Sequence, residues 1–561
     1  MERTKKVGRF SSCRGVSFEI KPQRISPFAI TSPSEDEHNL LDDKKIWVPW
    51  NQRSSFKVFA PMLDDIIQRS LSRPSSHFCD LDIESDEDDV ENIIGGGEKE
   101  EDKQIKDVEK QKPINNYSIK RDQLPKLAPP KASRLSVILL DQGLFTVYKR
   151  LFMLCLTLNL VGLVLAATDH FPYAKQRPAL FSIGNILALT LCRSEALLRV
   201  VFWLAVKILG RPWIPLPLKT ATTSFLQCLG GIHSGCGVSS IAWLIYSLVL
   251  TLKDKQNTST EIIAVASAIL SLLCLSSLAA FPLVRHLHHN VFERTHRFAG
   301  WTALALLWAF IILTISYDST SNSYKKLRLS NLIKEQEFWL TLAITLLIIL
   351  PWVSVRRVSV KVTSPSGHAS MIKFEGGVKA GLLGRISRSP LSEWHAFGII
   401  SDGKIEHMML AGAVGDFTKS LVSKPPSHLW VRQVHFAGLP YLVNMYDRVV
   451  LVATGSGICV FLSFLLQPCS AKVCLLWVAK GIERNFGNEI KDMVSGFPKD
   501  KVIIHDTDIL GRPNVSEMSI DAAKRWKAEV VIITSNPEGS RDVVNGCKAA
   551  RIPAFGPIWD S

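Results

Sequence analysis

Long apolar runs separated by short polar stretches dominate the middle of the chain. Six of them meet or approach the roughly 20 residues of helix that a ~30 Å bilayer core requires. They are Leu151–Ala167, Leu180–Leu209, Thr222–Leu252, Ile262–Val284, Phe298–Ile315 and Phe338–Val355. The pattern predicts a multi-pass α-helical membrane bundle of about six helices over residues 140–355. Lys and Arg favour the loops on one side, which predicts cytosolic N- and C-termini in a plasma membrane or endomembrane protein.

Beyond residue 355 the apolar runs become short and Gly and Pro separate them. The runs Val358–Val362, Trp394–Ile400 and Val431–Phe436 predict a small β-barrel over residues 356–446. From residue 447 to 561 strand-like runs alternate with helical stretches, which predicts a parallel α/β domain. Its predicted strands are Val449–Ala453, Val473–Val478, Val502–His505 and Val530–Thr534. The glycine turn Gly455–Gly457 follows the first of them, where backbone amides can approach a pyrophosphate.

The first 135 residues have a different composition. Carboxylates crowd Asp80–Glu91 and a triple glycine follows at Gly95–Gly97, so this region lacks the apolar surface that offsets ordering entropy. We expect a disordered cytosolic tail over residues 1–135, without a signal peptide. A transit peptide is the alternative for the basic, serine-containing start. Within the tail, Arg69–Pro74 fits a motif that phosphopeptide-binding adaptors recognise, with Ser72 as the phosphosite; a solvated basic linker is the plainer interpretation.

The net charge and the cysteine spacing argue against several classes of function. The formal net charge is +15, but no nucleic-acid-binding signature accompanies it. We therefore attribute the charge to the flanks of membrane helices and to a basic C-terminal domain, with the lipid bilayer and not nucleic acid as the partner. The 11 cysteines form no C-x-x-C pair, which argues against a disulfide framework and a zinc site.

Ionisable residues at membrane depth are candidate functional groups. Arg193, Glu195 and Arg199 lie in the second apolar run, and the spacing of Glu195 and Arg199 predicts an ion pair within one helical turn. Four histidines lie close together in the polar stretch between the fourth and fifth runs: His286, His288, His289 and His296.

His233 is the histidine deepest in an apolar run, and glycines surround it from Gly230 to Gly237. Two interpretations remain open for these glycines. They leave room for a bulky group beside His233, or they let two helices cross closely.

The order of a histidine-bearing bundle, a barrel and a nucleotide-type domain resembles the ferric reductase/NADPH oxidase superfamily over residues 140–561. The motifs that carry the resemblance are Ser392–Gly398, Gly415–Thr418, Leu439–Tyr441, Thr454–Ile458 and Gly511–Pro513. Three further segments, Gly231–Gly237, Phe292–Trp301 and Phe555–Ser561, are most similar to a subgroup of fungal and plant membrane flavoproteins typified by TmpA.

The resemblance implies a ferredoxin-reductase-like module that binds FAD and NAD(P)H. It implies flavin contacts for His395 and Phe397, and FAD phosphate contacts for Gly415 and Thr418. It assigns Gly455, Ser456 and Gly457 to the nicotinamide nucleotide. Phe555 or Trp559 would stack on the isoalloxazine ring, unless it is an ordinary buried aromatic residue.

The sequence departs from the superfamily pattern at the haem and flavin motifs. Each haem helix of the superfamily carries two histidines about thirteen residues apart, whereas His233 and His296 have no second histidine at that distance. At most one haem b, held by these two, is therefore expected. The flavin motif has Ala396 and Gly398 where the family has proline and a hydroxyl residue.

Two further departures concern the nicotinamide side of the site. Ser535–Pro537 replaces a Cys-Gly-Pro motif, and Cys459 follows the glycine turn. These changes favour retained FAD binding over retained hydride transfer.

Two hypotheses for function follow. The first is a membrane flavoprotein oxidoreductase that moves electrons from NAD(P)H through FAD to an unidentified acceptor. The alternative is a catalytically degenerate reductase fold that acts in signalling or protein interaction.

Overall fold

The computed structural model describes residues 9–11, 17–19, 146–287 and 289–558 of the 561. Most of the predicted tail, including Ser72, lies outside the described residues, as do His288 and Trp559. In the tail, β1 (Arg9–Ser11) pairs antiparallel with β2 (Ser17–Glu19).

A bundle of helices begins at residue 147. Its helices are α1 (Val147–Ala167), α2 (Pro172–Gln176), α3 (Pro178–Leu191), α4 (Glu195–Leu209), α5 (Leu216–Gln227), α6 (Leu229–Lys253), α7 (Thr260–Ala279), α8 (Pro282–Leu287), α9 (His289–Ser316), α10 (Leu329–Leu332) and α11 (Gln336–Val353). A small hairpin, β3 (Tyr317–Asp318) with β4 (Ser323–Tyr324), lies between α9 and α10. Within the described ranges, five helices are long and apolar enough to cross a membrane: α1, α6, α7, α9 and α11.

The second predicted span, Leu180–Leu209, is wrong as a single helix. The chain breaks at Arg193 and Ser194 into α3 and α4. Helix α3 has 14 residues, about 21 Å at 1.5 Å per residue, which is shorter than a ~30 Å bilayer core. It stays in the bundle against α6, where Ser182 Oγ donates to Ser240 O at 2.8 Å. Helix α4 leaves the bundle and packs on the C-terminal part of the chain, with Phe202 buried.

The third and fourth predicted spans are also divided. Thr222–Leu252 consists of the end of α5 and most of α6, with a break at Cys228. Ile262–Val284 ends early as a continuous helix, because α7 stops at Ala279 and the short α8 follows. Hydropathy counts apolar residues but does not detect a change of direction between two apolar helices.

Glycines set the packing of α6 on α1. A Cβ added to Gly231 would lie 2.3 Å from Tyr148 O, and one added to Gly235 would lie 2.9 Å from Phe152 O. Only glycine permits this approach at these two sites, as in other crossings with small residues four positions apart. The close-crossing interpretation therefore holds for one face of the glycine segment.

Two antiparallel sheets follow α11. Their strands are β5 (Val355–Ser359), β6 (Lys361–Ser366), β7 (Ala369–Glu375), β8 (Leu382–Ser387), β9 (His395–Gly398), β10 (Ile400–Ser401), β11 (Glu406–Gly412), β12 (His428–Arg432) and β13 (Phe436–Ala437), with α12 (Asp416–Ser423) after β11. One sheet has the order β10-β11-β7-β6. The other has β13-β8-β12-β5, with β9 paired to β8. Their inner faces share one core containing Ile372, Ile386 and Leu429. We call residues 355–437 the antiparallel domain.

The predicted β-runs only partly match these strands. Val358–Val362 contains the junction of β5 and β6, and Trp394–Ile400 covers β9 and the start of β10. The run Val431–Phe436 covers the end of β12 and the start of β13. Strands β7, β8 and β11 are not predicted.

A parallel sheet completes the chain. Its strands are β14 (Arg448–Thr454), β15 (Lys472–Ala479), β16 (Val502–Asp506), β17 (Val530–Thr534) and β18 (Ala554–Phe555). Helices α13 (Ser463–Leu466), α14 (Ile482–Ser495), α15 (Thr507–Leu510), α16 (Val515–Trp526) and α17 (Pro537–Ala549) connect them. The order β16-β15-β14-β17-β18 is that of a doubly wound nucleotide-binding sheet, whose direction of winding reverses beside β14. We call residues 448–555 the α/β domain, and both C-terminal domains together the C-terminal module.

Within the described range 289–558, no flexible linker separates the bundle from the C-terminal module. Helix α11 ends at Val353 and β5 begins at Val355. Across this junction Trp352 meets Trp394 edge to face at 6.4 Å between ring centroids, and Trp301 meets Trp352 at 5.4 Å. The end of the bundle that carries Trp352 and the start of α9 therefore faces the antiparallel domain.

Candidate cofactor sites

His233 and His296 come together at the module-facing end of the bundle. Each lies near the start of its helix, α6 and α9, and their ring centroids are 6.4 Å apart. Two imidazoles that share one metal ion, each bonded through a ring nitrogen at about 2 Å, have ring centres roughly 6 Å apart. The two rings thus have the separation of a bis-histidine metal pair.

Hydrogen bonds orient both rings through the same nitrogen. His233 Nδ1 lies 3.0 Å from the carbonyl oxygen of Leu189, which can only accept, so Nδ1 donates. His296 Nδ1 lies 2.8 Å from Ser276 Oγ, a hydroxyl that can donate or accept. The bond to the Leu189 carbonyl leaves the lone pair of His233 on Nε2, which is the usual arrangement of a metal ligand.

Open space lies next to both histidines. Gly237 and Gly300 follow His233 and His296 by four residues, so each shares a helix face with its histidine. A Cβ added to either glycine would meet nothing within 4 Å. The glycine segment therefore serves both interpretations: Gly231 and Gly235 pack on α1, while Gly237 leaves room beside the histidine.

Arginines lie close to the histidine pair. The charge of Arg193 acts on both histidines, and that of Arg285 acts on His233. Arg193 thus supplies positive charge near the histidine pair, at the module-facing end of the bundle.

Glu195 does not pair with Arg199, so that prediction is wrong. Glu195 instead accepts from Arg385 Nε and, at 3.1 Å, from Arg432 Nη1. Arg199 Nη1 donates to His435 O at 3.1 Å. Partners so distant in sequence cannot be detected by helical spacing. The Glu195, Arg385 and Arg432 cluster fixes α4 to the antiparallel domain.

The flavin-type motif lies at the junction of the two C-terminal domains. His395 is buried and stacks on Phe417 with ring centroids 4.0 Å apart, and Phe397 is part of the core. A Cβ added to Gly398 would lie 2.8 Å from the Cα of Val460. A hydroxyl residue does not fit at Gly398, because the backbone of the α/β domain contacts it directly.

Thr418 holds the turn before α12. Its Oγ1 accepts from the amides of Val414 (3.1 Å) and Gly415 (3.0 Å). The first intrahelical bond runs from Lys419 N to Gly415 O. The amides of Asp416, Phe417 and Thr418 therefore lie outside the helix's own hydrogen-bond ladder, as at any helix start.

The glycine turn follows the central strand β14. Gly455 has φ +53°, a backbone conformation that glycine adopts readily, and Trp477 Nε1 donates to its carbonyl at 2.9 Å. Ser456 and Gly457 are also buried, and the Ser456 hydroxyl lies close to Gly412 of β11. Ser535 directly follows the neighbouring strand β17, and its Oγ bonds Thr454 Oγ1 at 2.7 Å. The turn and Ser535 thus adjoin at the edge of the sheet where such folds bind nucleotides.

Two further residues behave as core. Burial raises the pKa of the Cys459 thiol to about 12, so the thiol stays protonated at neutral pH. Phe555 is partly buried and packs against the core of the α/β domain. Its predicted stacking on a flavin stays a prediction.

The geometry defines a class of protein in which a bundle of helices long and apolar enough to cross a membrane precedes an antiparallel domain and a doubly wound domain. Residues 439–561 match a family model described as the C-terminal domain of adenylate-forming reductase 03009. Adenylate-forming reductases 06235 and 03009 of Coprinopsis cinerea are each 33% identical to the chain, over 449 and 446 residues. These alignments cover 77% of this chain and 42% of each relative. The chain thus spans about two fifths of their length, and the similarity extends beyond the C-terminal module.

Solved structures show a coarse likeness over about a third of the chain. The ferredoxin reductase of carbazole 1,9a-dioxygenase has a TM-score of 0.28 at 11% identity and covers 36% of this chain and 69% of that one. Ferredoxin-NADP+ reductase from Plasmodium falciparum has a TM-score of 0.28 at 10% identity, with coverages of 36% and 94%. The chain is thus similar to proteins named reductases, and its assignment to the ferric reductase/NADPH oxidase superfamily stays a prediction.

Proposed function

We propose that the chain is a membrane flavoprotein oxidoreductase that transfers electrons from NAD(P)H through FAD to an acceptor. The observation that carries the proposal is the histidine pair at the end of the bundle that faces the C-terminal module. When bound, FAD takes up a hydride and releases electrons singly, and the protein holds and tunes it. The names of the Coprinopsis relatives support the reductase assignment.

The start of α12 supports contact with the FAD diphosphate. The amides of residues 416–418 lie outside the helical ladder, and a helix start favours phosphate. Gly415 and Thr418 would shape this turn rather than contribute a charged group. His395 and Phe397 would back the flavin, since both are buried beside Phe417.

The edge of the sheet beside β14 supports contact with NAD(P)H. Gly455, Ser456 and Gly457 follow the central strand at the point where the winding reverses, which is where dinucleotides bind in this kind of sheet. Ser535 would take the place that the family gives to a cysteine. The turn is buried, so binding would require movement of the segment that covers it.

The residues around the histidine pair fit one haem b. The ring separation, the Nδ1 hydrogen bonds and the open space beside Gly237 and Gly300 all favour ligation through Nε2. Arg193 carries charge that suits a haem carboxylate. When bound, the haem would supply one-electron transfer. Because the pair lies at one end of the bundle, most of the ~30 Å core remains beyond it, and we propose an acceptor inside the membrane or on the module side.

The alternative, a degenerate reductase fold in signalling, draws on a separate observation. The backbone contact between Gly398 and Val460 and the buried glycine turn close the space between the two C-terminal domains. A module locked in this form would bind partners without turnover.

The absorption spectrum of the detergent-purified full-length protein separates these proposals. We expect flavin bands near one FAD per chain that bleach when NADPH is added without oxygen. A reduced haem band should vanish in His233→Gln and in His296→Gln, and should persist in the control His170→Gln, since His170 is exposed outside the pair. Folded protein with neither chromophore would exclude the oxidoreductase and favour the alternative.

A further inference from the structure

Helix α4 carries apolar residues on two faces, and protein covers only one of them. Phe202 and Val206, with Leu198, Val201, Ala205 and Leu209, pack on the cores of the C-terminal module. An exposed apolar helix face indicates that something other than the described residues covers it.

The outer face of α4 is a continuous apolar stripe. Val200, Trp203, Leu204 and Ile208 recur at the three- and four-residue spacing of one helix face. Their exposed fractions are 56%, 47%, 46% and 53%. Together they form a surface that a soluble environment disfavours.

The stripe continues onto the turn and onto α5. Trp213 is 77% exposed, and Leu218 and Phe225 are also exposed. The opposite side of α5 is attached to the C-terminal module, because Thr223 Oγ1 bonds Tyr446 Oη at 2.7 Å and Gln227 Nε2 donates to Gly556 O at 3.0 Å. The hairpin of α4 and α5 thus has one face on the module and one apolar face outward.

The position of the hairpin in the chain fixes where the outward face lies. It follows α3 and precedes α6, and Leu229 at the start of α6 packs on the core of the antiparallel domain. The hairpin therefore lies at the surface of the membrane that the bundle crosses.

The charges on the outward side have one sign. Glu195 is the only acidic residue between residues 195 and 227, and it faces the module. Lys207 is exposed and lies 4.8 Å from the centroid of the Trp203 ring, and Arg211 is exposed in the turn. Tryptophan beside basic residues is the usual composition of a membrane interface, where the cations attract anionic headgroups.

We propose that the outer face of the α4–α5 hairpin is embedded in the module-side leaflet as an interfacial element. Val200, Trp203, Leu204 and Ile208 would contact the acyl-chain boundary, and Lys207 and Arg211 would bind anionic phospholipid headgroups. This contact would seat the C-terminal module against the membrane, whichever cofactors the module binds.

Photocrosslinking in nanodiscs of phosphatidylcholine and phosphatidylserine tests the proposal. The full-length protein would carry p-benzoyl-phenylalanine in place of Trp203 in one variant and Ile208 in another. The control is the same replacement of Ile509, which is 79% exposed on the α/β domain. We expect lipid adducts on α4 peptides at a yield several-fold above the control. Adducts to a second copy of the chain, or a lipid yield equal to the control, would overturn the assignment.

A second variant tests the headgroup contacts. Native mass spectrometry should detect less co-purified phosphatidylserine on Lys207→Gln/Arg211→Gln than on the wild type. The control Lys491→Gln, at an exposed lysine of the α/β domain, should retain the wild-type amount. Equal retention by all three proteins would refute the role of Lys207 and Arg211.

Discussion

Replacing Glu195 with Gln should loosen the attachment of α4 to the antiparallel domain. The substitution keeps the shape of the side chain and removes the charge that two guanidinium groups share. Arg385 and Arg432 then remain close to each other without a carboxylate, and each disfavours the charge of its neighbour. The new amide oxygen can still accept one neutral hydrogen bond, and the Arg432 guanidinium keeps its contact with the ring of Trp394, at 4.9 Å.

The burial of these three side chains determines how much folding stability the substitution removes. Their exposed fractions are 12% for Glu195, 16% for Arg432 and 32% for Arg385. Removing one partner of a buried ion pair costs about 3–5 kcal/mol, whereas an exposed pair contributes about 1 kcal/mol or less. Because Arg385 is about a third exposed, we expect a loss of roughly 2–3 kcal/mol for Glu195→Gln. That corresponds to about 5–10 °C in the melting temperature of a module of this size.

Acid pH should abolish the difference between the variant and the wild type. Burial alone would raise the pKa of Glu195, but Arg385 and Arg432 outweigh it and hold the pKa below its ordinary value of 4.5. A carboxyl whose pKa is lower in the folded state stabilises above its unfolded pKa, and this contribution disappears as pH falls through the folded pKa. The wild type therefore loses on acidification a stabilisation that the variant lacks at every pH.

Thermal unfolding of the purified protein, followed by tryptophan fluorescence, measures both effects. The control is Glu483→Gln, because Glu483 pairs with Lys491 at the surface with both side chains well exposed. We expect no measurable shift in the melting temperature of this control, because solvent screens an exposed ion pair. The reasoning is refuted if Glu195→Gln melts no earlier than the control at neutral pH.

Three further predictions concern other regions of the chain. Gly398→Ser should destabilise the protein by about 1–3 kcal/mol, because its Cβ would contact the Val460 backbone; Gly496→Ser, where an added Cβ meets nothing within 4 Å, should not, and equal melting temperatures would contradict this. Burial, with the charges of His407 and Arg199, lowers the pKa of His435 to about 4 from 6.5, so the unfolded state binds the proton first. The C-terminal module should thus lose up to ~3 kcal/mol of folding stability as the pH falls from 6.5 to about 4. A pH–stability curve of His435→Gln equal to that of the wild type would refute this prediction. A peptide phosphorylated at Ser72 should bind a phosphopeptide-binding adaptor in a fluorescence anisotropy titration, and equal binding of the unphosphorylated peptide would exclude the phosphosite.

Parallel strands are the part of the fold that the sequence predicts best. A strand buried on both faces is a continuous apolar run, so Val530–Thr534 is identified residue for residue and β14, β15 and β16 to within one residue at each end. Strands of the antiparallel domain give weaker signals, because alternating and short runs are compatible with several registers.

Long-range contacts were beyond sequence reasoning. The break at Arg193 lies inside an apolar run, so hydropathy treats α3 and α4 as one span. The partners of Glu195 lie 190 and 237 residues away, and only the fold brings them together. The resemblance to the ferric reductase/NADPH oxidase superfamily pairs His233 with His296, but the contact of Ser276 with His296 is visible only in the structure.

The single residue between α11 and β5 determines how the C-terminal module can move. A flexible linker would let the module sample many orientations and would make its local concentration at the bundle depend on linker length. Ser354 offers no such freedom, and its carbonyl accepts from Gln433 N at 3.1 Å. The distance between any group in the module and the histidine pair is thus a fixed property of the fold rather than an average over an ensemble. Inserting a Gly/Ser segment after Ser354 would let that distance vary with the orientation of the module.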